Sequence, residues 1–127
     1  MNLSKNPSVI FKKTTDCCNL KCIQCDYHKN KLNENENNLS LEEKKQLLNE
    51  IKEWNSDIRI SLTGGEPFVQ KKVFWELAEK CKELNLRASV TTNGTLIRED
   101  EYSKILDLNL EFILISIDSD YQKYTTK

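Results

Sequence analysis

"DIRISLTGGEP", residues 57–67, alternates Ile58, Ile60 and Leu62 with polar residues and then meets two glycines. A period of two is the signature of a strand, and paired glycines end one, so the spacing predicts a strand to about Leu62 or Thr63 closed by a Gly-Gly-Glu-Pro turn. What flanks this strand decides the fold.

On its N-terminal side, "SLEEKKQLLNEIKEW" opens with Ser40 three residues before Glu43, the spacing of a capping box, and places Leu47, Leu48, Ile51 and Trp54 on one helical face. On its C-terminal side, "KKVFWELAEKCKEL" repeats apolar residues at Phe74, Leu77, Cys81 and Leu84. Both segments read as helices, with Trp54 and Trp75 as large core side chains against a sheet and Cys81 as core packing.

Further out the alternation continues. "LRASVTT" alternates Leu86, Ala88 and Val90, "REDEYSKILDL" is a short helix with its acidic residues early, and "EFILISID" is a continuous apolar run of the kind found in strands covered on both faces. "SVIFKKTT", residues 8–15, reads as the first strand. Strands separated by helices imply an α/β fold with a parallel sheet and right-handed crossovers. In such sheets ligands gather at the carboxyl ends of the strands, where the loops containing the cysteines, "TGGEP", "TTNG" and "SIDSD" all fall.

The chain has 127 residues, the size of one domain, with a net charge of -1 and no basic stripe, so nucleic acid is not indicated. No apolar stretch reaches the length of a membrane span, and no N-terminal run has a secretory pattern, which gives a soluble, cytoplasmic expectation. The polar segment "NKLNENENN", residues 30–38, reads as a mobile loop. Four of the five cysteines fall in "TTDCCNLKCIQCDYH", residues 14–28. In a reducing compartment an odd, clustered set points to metal or redox chemistry rather than disulfides.

Cys18, Cys22 and Cys25 are spaced CxxxCxxC on the loop after the first strand. Three thiolates so placed can hold a [4Fe-4S] cluster with one iron left open to a small molecule. A zinc site with His28 or Cys17 as a fourth ligand is the alternative. Outside that alternative, Cys17 reads as a bystander thiol and His28 as a solvated loop residue. In "TGGEP", Gly64 and Gly65 let a ligand approach the backbone, and Glu66 offers an acceptor suited to an ammonium group.

Together, "CNLKCIQC" and "GGEP" resemble the first two motifs of the radical S-adenosylmethionine superfamily. "TTNGTLI" and "ISIDSD" look like its third and fourth strand ends in the branch with peptide-modifying and sulfatase-maturing enzymes. The resemblance implies a (βα) partial TIM-barrel and a cluster on Cys18, Cys22 and Cys25. It also implies that S-adenosylmethionine chelates the open iron, with Gly64, Gly65 and Glu66 receiving its amine and Asn93 and Ser116 lining the same mouth. Gln24 stands where the family commonly carries an aromatic near the adenine, so stacking is lost there and an amide is what the position offers for hydrogen bonding. An external electron donor and, by analogy with that branch, a peptide substrate follow.

Family members usually continue through two further strand-helix units, so four strands of an expected six are present. Residues 1–127 then read as a single, incomplete core domain, a truncated product or fragment inactive alone, whose apolar fourth strand forms an exposed edge prone to self-association. The rival reading is a non-enzymatic zinc- or cluster-binding interaction module.

Overall fold

The structure, a computed structural model, describes residues 7–29 and 39–117. The loop expected over residues 30–38, the end of "SIDSD" and the His28 side chain lie outside the described residues.

Four strands form one sheet in the order β1-β2-β3-β4: β1 Val9–Thr15, β2 Arg59–Gly64, β3 Arg87–Thr92 and β4 Phe112–Ile115. Every neighbouring pair is parallel. The helices α1 Leu41–Trp54, α2 Lys71–Glu83 and α3 Tyr102–Asp107 connect them, with short 3-10 turns at Tyr27–Lys29, Pro67–Gln70 and Glu99–Glu101. The expected α/β order is the observed one, and among the described residues the sheet has four strands.

Local chemistry starts α1 where the sequence placed it. The Ser40 hydroxyl accepts from the Glu43 N–H at 3.2 Å, and the Glu43 carboxylate accepts from the Ser40 N–H at 2.7 Å. Two otherwise unpaired donors are satisfied at once.

Register places Ile10, Ile60 and Ala88 side by side on one face, and Lys12, Leu62 and Val90 in the next row. Against this face pack Leu48 and Ile51 of α1, Phe74, Trp75, Leu77, Ala78 and Cys81 of α2, and Ile105 of α3. Phe68, from the turn after β2, stacks into the same core with its ring centroid 4.4 Å from that of Phe74. Lys12 is buried in this face, and burial first, then the nearby Lys44, pushes its ammonium below the usual lysine range.

Two expectations need correction. Trp54 is 55% exposed rather than core. It lies in the last turn, seven residues after the half-buried Leu47, on the flank of a face centred on Leu48 and Ile51. Strand β4 is not covered on both faces: all four of its residues are exposed, and among the described residues no strand pairs with its outer edge. Its apolar run therefore matches the exposed-edge reading instead.

Candidate functional site

The site begins where β1 and β2 end. After a register shift between Lys13 and Thr15, Thr15 pairs with Gly64, and the Gly65 N–H donates to the Thr15 carbonyl at 2.9 Å. The Glu66 N–H then donates to the Cys17 carbonyl at 2.8 Å. A Cβ on Gly65 would lie 2.0 Å from that carbonyl oxygen, and one on Gly64, whose φ is +130°, would lie 2.3 Å from the Thr15 oxygen. The backbone that these glycines admit is that of the cysteine loop, and both also line the cleft. Their smallness fixes where that loop departs.

From this anchor the loop carries Cys18, Cys22 and Cys25, all half-buried and free of disulfides. A turn closes with the Cys25 N–H donating to the Cys22 carbonyl at 3.1 Å, and Leu20 within the loop is buried. The Leu20 N–H faces the Cys18 sulfur at 3.5 Å. Burial pushes the Cys18 thiol above its ordinary pKa, and this amide pulls it partly back. Cys17 is buried and forms no part of the cleft lining, whereas Gln24 does line it and its neighbour Ile23 is 90% exposed outside it. Among the described residues, no three His, Cys, Asp or Glu side chains form a group able to hold a single metal ion.

Glu66 is 1% exposed and bridges two strand ends. Its Oε1 accepts from the Phe68 N–H at 3.1 Å and from the Thr92 hydroxyl at 2.7 Å. Its Oε2 accepts from the Asn93 N–H at 2.7 Å. The carboxylate read as an acceptor for a ligand ammonium thus already receives three protein donors, although it also borders the cleft. A buried carboxylate persists when donors of this kind satisfy it.

Asn93 opens the loop after β3. Its Oδ1 accepts from the Thr95 N–H at 3.0 Å and from the Thr95 hydroxyl at 2.7 Å, while its Nδ2 donates to Asn19 Oδ1 at 3.0 Å. Asn19 Nδ2 donates in turn to the Thr95 hydroxyl at 2.9 Å. The loop after β3 is thereby tied to the cysteine loop. At the end of β4 the Ser116 N–H donates to the Thr92 carbonyl at 2.9 Å.

One cleft at the carboxyl ends of the strands is lined by Cys18, Cys22, Gln24, Cys25, Gly64, Gly65, Glu66, Asn93 and Ser116. The sequence singles out these nine as site residues; it does not single out Leu20, Tyr27, Thr63, Thr91 and Thr92, which line the same cleft, or Asn19, whose side chain ties two of the loops together. The "TT" ahead of "NG" marks a hydroxyl-rich strand end, but nothing near Asn19 in sequence announces its partner 74 residues away.

Comparison with known proteins bears on what such a cleft is. Residues 13–127 match the model of the Radical SAM superfamily. The chain is 39% identical over 114 residues to an Fe-coproporphyrin III synthase of Methanosarcina barkeri, covering 90% of this chain and 28% of that protein. It is 30% identical over 121 residues to a cysteine-type anaerobic sulfatase-maturating enzyme of Clostridium perfringens, covering 87% of this chain and 32% of that one. Among solved structures, Streptococcus suis SuiB bound to S-adenosylmethionine superposes with a TM-score of 0.59 at 23% identity, over 84% of this chain and 22% of SuiB. SuiB bound to its precursor peptide SuiA gives 0.60. The chain thus spans about a third or less of each protein named, and its fold matches the covered part of SuiB. With the matched segment running from the end of β1 through β2, β3 and β4, the chain belongs to the radical SAM superfamily.

Proposed function

We propose that the cleft holds a [4Fe-4S] cluster on Cys18, Cys22 and Cys25 together with S-adenosylmethionine, as part of a cytoplasmic radical enzyme. The observation that carries this is the convergence of four separate chain segments on one cleft, three free thiols among them. The chemistry of the donors suits such a cluster: three half-buried thiols, which as placed form no single-ion site, would leave it one iron short of protein ligands, next to the polar backbone of Gly64 and Gly65.

Held by Cys18, Cys22 and Cys25, the cluster would supply one-electron reduction of the bound sulfonium, with an external donor as electron source, so that a carbon-sulfur bond could break to release methionine and hydrogen could be abstracted from substrate. This chain's own part is binding and orientation. Gly64, Gly65 and Glu66 form the edge that receives the methionyl amine, the Glu66 carboxylate being held in place by its Thr92 and Asn93 donors. Gln24 offers an amide to the adenine in place of a stacking ring, and Ser116 and Asn93 border the mouth. A peptide is the proposed substrate class, by analogy with SuiB and the sulfatase-maturating relatives; the porphyrin-directed name of another relative marks how far the fold alone leaves that choice open.

Anaerobic reconstitution with iron and sulfide is expected to give a brown protein with about four irons per chain. Replacement of Cys18, Cys22 or Cys25 by Ala should abolish uptake, and Cys17→Ala should preserve it. Tightly bound zinc without iron would instead favour the interaction-module reading.

A further inference from the structure

We propose that Asn93 is a positioning residue for the Cys18 sulfur, donating an amide N–H to it and thereby favouring the more reduced state of whatever that sulfur ligates. The inference rests on the cluster reading above.

The amide is oriented by bonds that leave little choice. Its Oδ1 is claimed by the Thr95 N–H and hydroxyl, so the other end of the group must be the NH₂. One N–H goes to Asn19 Oδ1 at 3.0 Å, and Nδ2 also sits 4.0 Å from Cys18 Sγ. The backbone of the same residue is fixed by its N–H donating to buried Glu66 at 2.7 Å. A carboxylate buried between two strand ends therefore sets the Asn93 backbone, an Asx-type turn sets its side chain, and the side chain presents a donor to one of the three thiols. Donors around ligating sulfur stabilise added negative charge, which is how they raise a cluster's reduction potential.

Redox titration of the reconstituted protein, followed by the electron paramagnetic resonance signal of the reduced cluster, tests this. Asn93→Ala should keep its iron and shift the midpoint potential to more negative values, whereas Asn19→Ala, which cuts the tie between loops but leaves the donor to Cys18, should not shift it. Equal potentials for the wild type and Asn93→Ala at equal iron content would overturn the proposal, as would an equal shift in Asn19→Ala. If Asn93→Ala retains no iron, Asn93→Ser, which keeps an oxygen for the Thr95 N–H, is titrated instead under the same criteria. Iron loss by both Asn93 variants, with a native circular dichroism spectrum and full retention by Asn19→Ala, supports the positioning role; loss by Asn19→Ala as well overturns it. A wild type that takes up no iron overturns the cluster reading and this inference together, which separates that failure from an unchanged potential.

Discussion

Strands β2 and β4 carry similar aliphatic side chains in the same parallel sheet, yet they live in opposite environments. Ile60 and Leu62 are completely buried, while Phe112, Ile113, Leu114 and Ile115 are between 39% and 54% exposed. The boundary is one strand wide: Val90 is 1% exposed, and its register partner Ile113 is 39% exposed. Apolarity is common to both, so it is not what buries a strand. β2 has a strand on each side and α1 and α2 packed over one face; β4 has a neighbour on one side only among the described residues.

The same substitution in the two strands gives the largest expected contrast. Leu62→Ala opens a cavity under α2 and should cost roughly 3–5 kcal/mol, because a fully buried site loses both transfer free energy and packing. Leu114→Ala should change stability by no more than about 0.5 kcal/mol, as surface substitutions do. Urea denaturation of the two variants measures both. Comparable losses would mean that β4 is covered in solution, by a second copy or by further chain.

The carboxyl ends of these strands differ in the same direction. At the end of β2, a Cβ on Gly65 would meet the Cys17 carbonyl at 2.0 Å, a backbone group that no rotamer change can move. Facing the end of β4, a Cβ on Gly94 would meet only the flexible Ile115 Cγ2 at 3.5 Å, although the φ of +75° there carries its own strain. Gly65→Ala should therefore cost about 3 kcal/mol and displace the cysteine loop, while Gly94→Ala should cost about 1–2 kcal/mol. Thermal melts rank the two. In the cluster reading, iron uptake should fall in the first variant and persist in the second.

What could be read in advance follows from sequence distance. The capping box at Ser40 and Glu43 is visible because both halves lie within one turn of helix, and the β2 strand is visible because Ile58, Ile60 and Leu62 alternate locally. The cleft residues were legible as motifs. Their mutual support was not, because the Glu66 carboxylate meets a Thr92 hydroxyl 26 residues on and Asn93 meets Asn19 across 74. For the glycine pair, the sequence shows that side chains are absent but not that the Thr15 and Cys17 carbonyls occupy that space. Trp54 misled because helical periodicity gives a face and says nothing of how far the partner layer extends. The run "FILI" misled in part because composition does not count neighbours.

The smallest expected effect lies where β4 is tied down best. Glu111, just before the strand, accepts from Arg87 Nη2 at 2.5 Å and from Arg59 Nε at 2.5 Å, so one carboxylate joins the starts of β2, β3 and β4. Arg59 also lies over the Phe112 ring, 5.1 Å from its centroid. The hydrogen bond from Arg87 leads in holding the Glu111 carboxyl below the usual range, with Arg59 adding to it. A carboxylate depressed in the folded state contributes stability fully above its unfolded pKa of about 4.3, and the contribution fades as pH falls through the lower folded value. The wild type should thus exceed Glu111→Gln slightly in urea midpoint at neutral pH, with the gap narrowing below about pH 4 and shrinking in high salt, since the cluster of charges is solvent-accessible. A gap independent of pH and salt would show that Glu111 holds β4 through shape and hydrogen bonding rather than charge.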